Sequence, residues 1–140
     1  MEHLAEAARV RRAVLLFNRR LRQERGDGSL SPNQLSVLGH LYRHGPATPG
    51  EVAAAERQRP QSLTRVFAEL EAEGLVERAA DPSDRRQAVL SLTAAGRRAL
   101  EADMAQRDAW LAEAFGALSE TERGVLSLAA SVLERLGNAP

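Results

Sequence analysis

The chain has 140 residues, enough for one domain with a real core and small for two. Its 19 basic residues, all arginine, balance 19 acidic ones, and there is no cysteine, which excludes disulfides, thiolate metal sites and a cysteine redox sensor. No stretch approaches the roughly 20 apolar residues that cross a bilayer. The run from Ala13 to Phe17 is too short for a secretory signal, so a cytoplasmic protein is expected.

The neutral total hides an uneven layout. Residues 1–25 hold seven Arg against three Glu, while residues 101–140 hold three Arg against seven acids. Terminal segments of opposite sign can pack together, within or between chains. The all-arginine usage is that of a GC-rich genome, so arginine abundance alone carries no functional message.

In chain order, Val10, Val14, Phe17 and Leu21 form a helical stripe from Leu4 to Leu21, closed by RGDGS at 25–29. Two helix starts follow one recipe. Ser31, Pro32 and Gln34 supply a cap, a first-turn proline and a capping-box partner, and Thr48, Pro49 and Glu51 repeat the pattern. The first of these helices turns Leu35, Leu38 and Leu41 inward and stops at Gly45-Pro46. The second is short, has Val52 and Ala55 as apolar contacts, and ends near Arg57. A helix from Pro60 buries Leu63, Val66, Phe67 and Leu70 and stops at Gly74. Its other face carries Gln61, Ser62, Thr64 and Arg65, and no acid falls between Arg57 and Ala68.

Leu75-Val76 and the alternating run ending at Thr93 read as the strands of a hairpin whose tip is DPSDRRQ. Thr93 caps a long helix carrying Leu100, Met104, Leu111 and Phe115. Ser119 to Glu122 form another capping box, opening a last helix with Val125, Leu128, Val132 and Leu136 on one face. The fold class is therefore mainly α with a small β-hairpin.

A short helix, a tight break and a helix with a polar, cationic start are what helix-turn-helix readers of DNA require. Arg pairs with guanine, Gln with adenine, and Ser or Thr with bases or phosphates. A solvated helical hairpin remains the bland alternative for this segment alone. A two-stranded ribbon directly after such a helix is a wing, and an arginine at its tip suits a narrow minor groove. In that setting Asp84 aims an arginine by charge-assisted hydrogen bonds rather than doing acid–base work; otherwise the tip is a solvated turn. The candidate DNA-binding residues are Arg59, Gln61, Ser62, Thr64, Arg65, Asp84, Arg85 and Arg86.

With SPNQLSVLGHL, QSLTRVFAELEAEGLVER and DPSDRRQAVLSLTAAG in this order, the chain resembles the MarR (multiple antibiotic resistance regulator) family over nearly its whole length. The resemblance implies a winged helix-turn-helix lobe at 31–93, within one domain of 1–140. Dimerisation helices would lie at 1–25 and 94–137. It implies a bacterial homodimeric regulator, a repressor, on a pseudo-palindromic double-stranded DNA operator, with Arg86 as the wing arginine and Asp84 as its buttress. It also implies control by a small aromatic or anionic ligand, with His40, Tyr42, His44 and Trp110 as candidate lining residues. A core or dimer role for Trp110 is the simpler reading. The four-residue spacing of His40 and His44 suits a metal, yet no third ligand is evident and no metal is expected.

Phosphate-binding glycine loops, nucleophile elbows and zinc-protease helices are absent, so no catalytic residue, cofactor or membrane partner is expected. The competing function is a winged-helix scaffold that binds protein through its polar helix face. The arginine groups at 57–65 and 85–86 separate the two, because only a DNA reader uses both.

Overall fold

A computed structural model describes residues 1–24, 26 and 30–140. The elements are α1 (Leu4–Gln23), α2 (Pro32–His44), α3 (Pro49–Ala55), α4 (Pro60–Ala72), β1 (Val76–Ala80), β2 (Ala88–Leu92), α5 (Ala94–Phe115) and α6 (Glu120–Gly137). The turn read at 25–29 lies, apart from Gly26, outside the described residues. The chain divides into two compact units, Met1–Glu24 with Gln106–Pro140, and Arg25–Ala105. The division falls inside α5. No helix among the described residues is long and apolar enough to cross a membrane.

Local chemistry sets the helix starts of the Arg25–Ala105 unit. The Ser31 hydroxyl oxygen accepts the Gln34 amide at 3.2 Å, and the Gln34 side chain accepts the Ser31 amide at 2.9 Å. Thr48 Oγ1 accepts the Glu51 amide at 3.1 Å. Between α3 and α4 the chain reverses through Arg57 at φ 53°, with Gln58 N–H donating to Ala53 O at 2.9 Å. Gln58 also donates its side-chain amide to Asn33 Oδ1 at 3.2 Å, tying this turn to the start of α2. Gly74, at φ 74°, ends α4 in the left-handed geometry that glycine tolerates best.

Leu38, Leu63, Leu70, Leu90, Val52 and Val76 are fully buried in the core of this unit. Each such side chain contributes about 1.5–3 kcal/mol by leaving water. The α4 stripe of Leu63, Val66, Phe67 and Leu70 is buried as its spacing predicts. Two helices depart from expectation. In α3, Val52 and Ala53 are buried and Ala55 is exposed. Consecutive helical residues lie about 100° apart, so an inward face centred between Val52 and Ala53 turns Ala55 outward. In α2 the buried surface is wider than the leucine stripe, taking in Val37 and His40, while Leu35 is only partly buried.

The strands pair antiparallel, Val76 opposite Leu92 and Ala80 opposite Ala88. A third segment joins them: Ala47 N–H donates to Leu90 O at 3.1 Å, and Leu90 N–H donates to Ala47 O at 2.8 Å. At the hairpin's base the Thr93 hydroxyl donates to Gly74 O at 2.6 Å and accepts the Gly96 amide at 3.0 Å. Thr93 therefore caps α5, as expected, and also ties it to the end of α4. Asp103 of α5, itself buried, accepts the Leu30 amide at 3.1 Å.

In the other unit no described residue is buried. The Phe17 and Trp110 rings pack with centroids 6.5 Å apart and planes tilted by 40°, and the Arg20 guanidinium lies 5.2 Å from the Trp110 ring. The capping box of Ser119 and Glu122 is complete, its two bonds 3.0 and 3.1 Å long. Arg123 reaches back to the Leu118 carbonyl at 2.5 Å, closing the turn between α5 and α6. Leu16, Phe17, Val125, Leu128 and Leu136 stand exposed on α1 and α6.

Candidate nucleic-acid interface

The start of α4 presents a polar face because its apolar stripe anchors the opposite one. Gln61 and Ser62, before the buried Leu63, and Thr64 and Arg65, between Leu63 and the buried Val66, are exposed. Arg59 occupies the N-cap in an extended conformation, its side chain making no capping bond and remaining exposed. Thr64 is partly committed, since its hydroxyl donates to the Pro60 carbonyl at 3.1 Å. Arg65 is committed too: Nε donates to Glu69 Oε1 at 3.0 Å. The stretch without acids thus ends at a carboxylate that folds back on its last arginine. The four-residue spacing is the sequence signal for that pair.

At the hairpin tip two aspartates shape the loop. Asp81 Oδ1 accepts the Ser83 amide and hydroxyl at 2.9 and 2.8 Å, and the Asp81 amide donates to Gln87 O at 3.0 Å. Those bonds from Ser83 hold the Asp81 carboxyl below its ordinary range. Asp84 Oδ1 accepts the backbone amide of Arg86 at 3.0 Å, and the Asp84 carbonyl accepts the Gln87 amide at 3.0 Å. The expected contact between Asp84 and a guanidinium is therefore replaced by one to the main chain. A short carboxylate reaches the amide two residues on more readily than the end of a long side chain. Arg85 and Arg86 both project from this loop into solvent.

The four residues expected to line a ligand site are divided, with His40, Tyr42 and His44 in one unit and Trp110 in the other. His40 is buried and His44 exposed, their rings 4.8 Å apart. Burial, and then the neighbouring His44, lower the His40 pKa below the ordinary imidazole value. Tyr42 is half exposed and carries the Arg97 guanidinium 5.1 Å from its ring. Among the described residues no three His, Cys, Asp or Glu side chains gather as a metal would need.

Three features escaped the sequence reading. The Ala47 bridge rests on backbone alone and leaves no side-chain pattern. Glu69 and Asp103 carry a spacing signal at most, and Asp103 reaches a partner far away in the sequence.

Comparison with known proteins agrees with this architecture. The MarR family model matches residues 29–87. The chain is 40% identical over 121 residues to an HTH-type transcriptional regulator of Mycobacterium tuberculosis, covering 86% of this chain and 85% of that one. It is 34% identical over 93 residues to the HTH-type transcriptional repressor MdtR of Bacillus subtilis, covering 66% of this chain and 60% of the relative. A crystal structure of a transcriptional regulator from Pseudomonas aeruginosa superposes with a TM-score of 0.84 at 40% identity, over 99% of this chain and 98% of that one. With its helix-turn-helix, its hairpin wing and these relatives, the chain belongs to the MarR family of DNA-binding, winged-helix transcriptional regulators.

Proposed function

We propose that this regulator acts as a homodimeric repressor on a pseudo-palindromic operator, with α1, the end of α5 and α6 forming the dimer interface. The observation that carries the reading is that α1 and α6 contain no buried residue, although each bears an apolar stripe. Val10 and Leu128, on those stripes, are 50% and 69% exposed in a single chain. Apolar stripes left exposed in this way belong in an interface. In each protomer α4 enters the major groove with Gln61, Ser62, Thr64 and Arg65, and Arg59 lies by the adjacent phosphates. The wing places Arg85 and Arg86 by the minor groove, where width and potential are read more than base identity. The name of MdtR supports repression as the outcome.

A small aromatic or anionic effector would relieve binding by preferring one arrangement of the dimer over another. Tyr42 with Arg97 beside it offers such a molecule an aromatic face and a cation. The test is selection from a random duplex library with the full chain, alongside sedimentation of the free protein. The expected result is a dimer that enriches two half-sites about one helical turn apart, roughly 34–36 Å. A monomer, or an enriched site with no internal repeat, would overturn the reading.

A further inference from the structure

We infer that Glu69 sets the base preference of Arg65, by tethering its guanidinium so that the outer edge faces the major groove; this rests on α4 being the helix that reads DNA. Arg65 is the only cation on α4 and its side chain is 90% exposed, against 41% for Glu69. Its Nε is bound to Glu69 Oε1 at 3.0 Å. Of the five guanidinium donors, this occupies the one nearest the stem and leaves the Nη1–Nη2 edge open. That edge is the fork which matches O6 and N7 of guanine.

Helix stability does not account for the pair. The favourable order puts the acid N-terminal to the base, whereas here Arg65 precedes Glu69. Glu69 lies in the last turn of α4, where the helix dipole disfavours an anion. An exposed pair also adds little to stability in any orientation. What the arrangement does supply is a constraint on the arginine. A free arginine entering the groove has phosphates as well as bases within reach, and a phosphate contact carries no sequence information. A carboxylate four residues on competes with phosphate for that cation and repels the backbone from the same spot. The Thr64 hydroxyl, bound to Pro60 O, is similarly withheld from phosphate as a donor.

The experiment compares the full-length protein with Arg65→Ala and Glu69→Gln, adding Glu69→Ala as a second removal of the charge. Each is put through selection from a random-sequence duplex library. Affinity for an arbitrary duplex is then followed across a salt series. The wild-type protein is expected to prefer guanine at one position of each half-site. Arg65→Ala and both Glu69 variants should lose that preference at the same position. The Glu69 variants should bind arbitrary duplex several-fold more tightly, with a log–log salt slope steeper by about 0.9, the increment for one additional phosphate contact. A merely structural pair would leave preference and slope unmoved. Unchanged preference and slope in both Glu69 variants overturn the tether while leaving operator recognition intact, and so does retained preference in Arg65→Ala. A wild-type protein that enriches no sequence removes both the tether and the operator reading.

Discussion

Gly96 packs directly against the carbonyl of Leu75: a Cβ at position 96 would collide with that oxygen and meet Leu92 Cδ1 at 2.8 Å. The first turn of α5 thereby lies on the base of the hairpin with only a hydrogen between them. Because the obstructing atom belongs to the backbone, it cannot swing aside as a side chain would. Gly96→Ala should therefore destabilise the protein by about 1–3 kcal/mol, the usual cost of overpacking. Urea unfolding measures it. A variant as stable as wild type would mean that hairpin and helix separate more easily than this contact implies.

Stability should fall on mild acidification because of His40. Its folded pKa is lowered, first by burial and then by His44, from an unfolded value of 6.5. A group with this shift binds protons more readily when the chain is unfolded. Its contribution is complete above the unfolded value and declines as pH falls below it, down through the folded value. His40→Gln removes the titration and should flatten that part of the stability–pH curve. Urea midpoints between pH 5 and 7.5 provide the comparison, and equal slopes for the two proteins would count against it.

Asp84 bonds the Arg86 amide, and that contact needs an acceptor oxygen but no charge. Asp84→Asn should therefore retain most of the duplex affinity and flank preference of the wild type. Asp84→Ala, which removes this one side-chain bond to the Arg86 amide, should weaken binding by about 1 kcal/mol, the worth of an ordinary hydrogen bond. Affinity over duplexes that differ only in their flanks reads the effect. If Asn and Ala are equally damaging, the carboxylate's charge matters more than its reach.

Leu128→Glu distinguishes a solvated helix from an interface. For a residue 69% exposed in one chain, a polar replacement would be harmless if nothing covered it. In a dimer seam it buries a carboxylate without a partner and should abolish association. Sedimentation velocity is expected to show a dimer for the wild type and monomer or aggregate for the variant. The wild-type melting temperature should also rise with protein concentration. A Leu128→Glu protein of unchanged mass would remove α6 from the interface.

The parts of this fold that were legible in the sequence are those governed by neighbours along the chain. Ser31 with Gln34, Ser119 with Glu122 and the stripe from Leu63 to Leu70 act over three or four residues, so their spacing alone identifies them. Ala55 falls outside the buried face expected of it, and Ala53 and His40 join faces not expected to include them, because tertiary contact, rather than helical period, decides how wide a buried face becomes. In the candidate site, residue types and their grouping were evident, while the acceptors were not. Asp84 could face a guanidinium or an amide two residues away, and only loop geometry selects the amide.

The paired hydrogen bonds between Ala47 and Leu90 give the lobe the character of a caliper. They fasten the segment before α3 to the middle of the wing, while Thr93 fastens the wing's base to the end of α4. On the proposed reading, in which α4 and the tip both touch the duplex, these ties make the separation between the two contacts a property of the protein rather than of the DNA. One base pair inserted between an operator's core and its flank moves the flank by about 3.4 Å and rotates it by roughly a tenth of a turn. Following that displacement would require breaking the hydrogen bonds at Ala47 or Thr93. Spacing would then be selected as strictly as base identity, and operators would tolerate a substituted flank better than a shifted one.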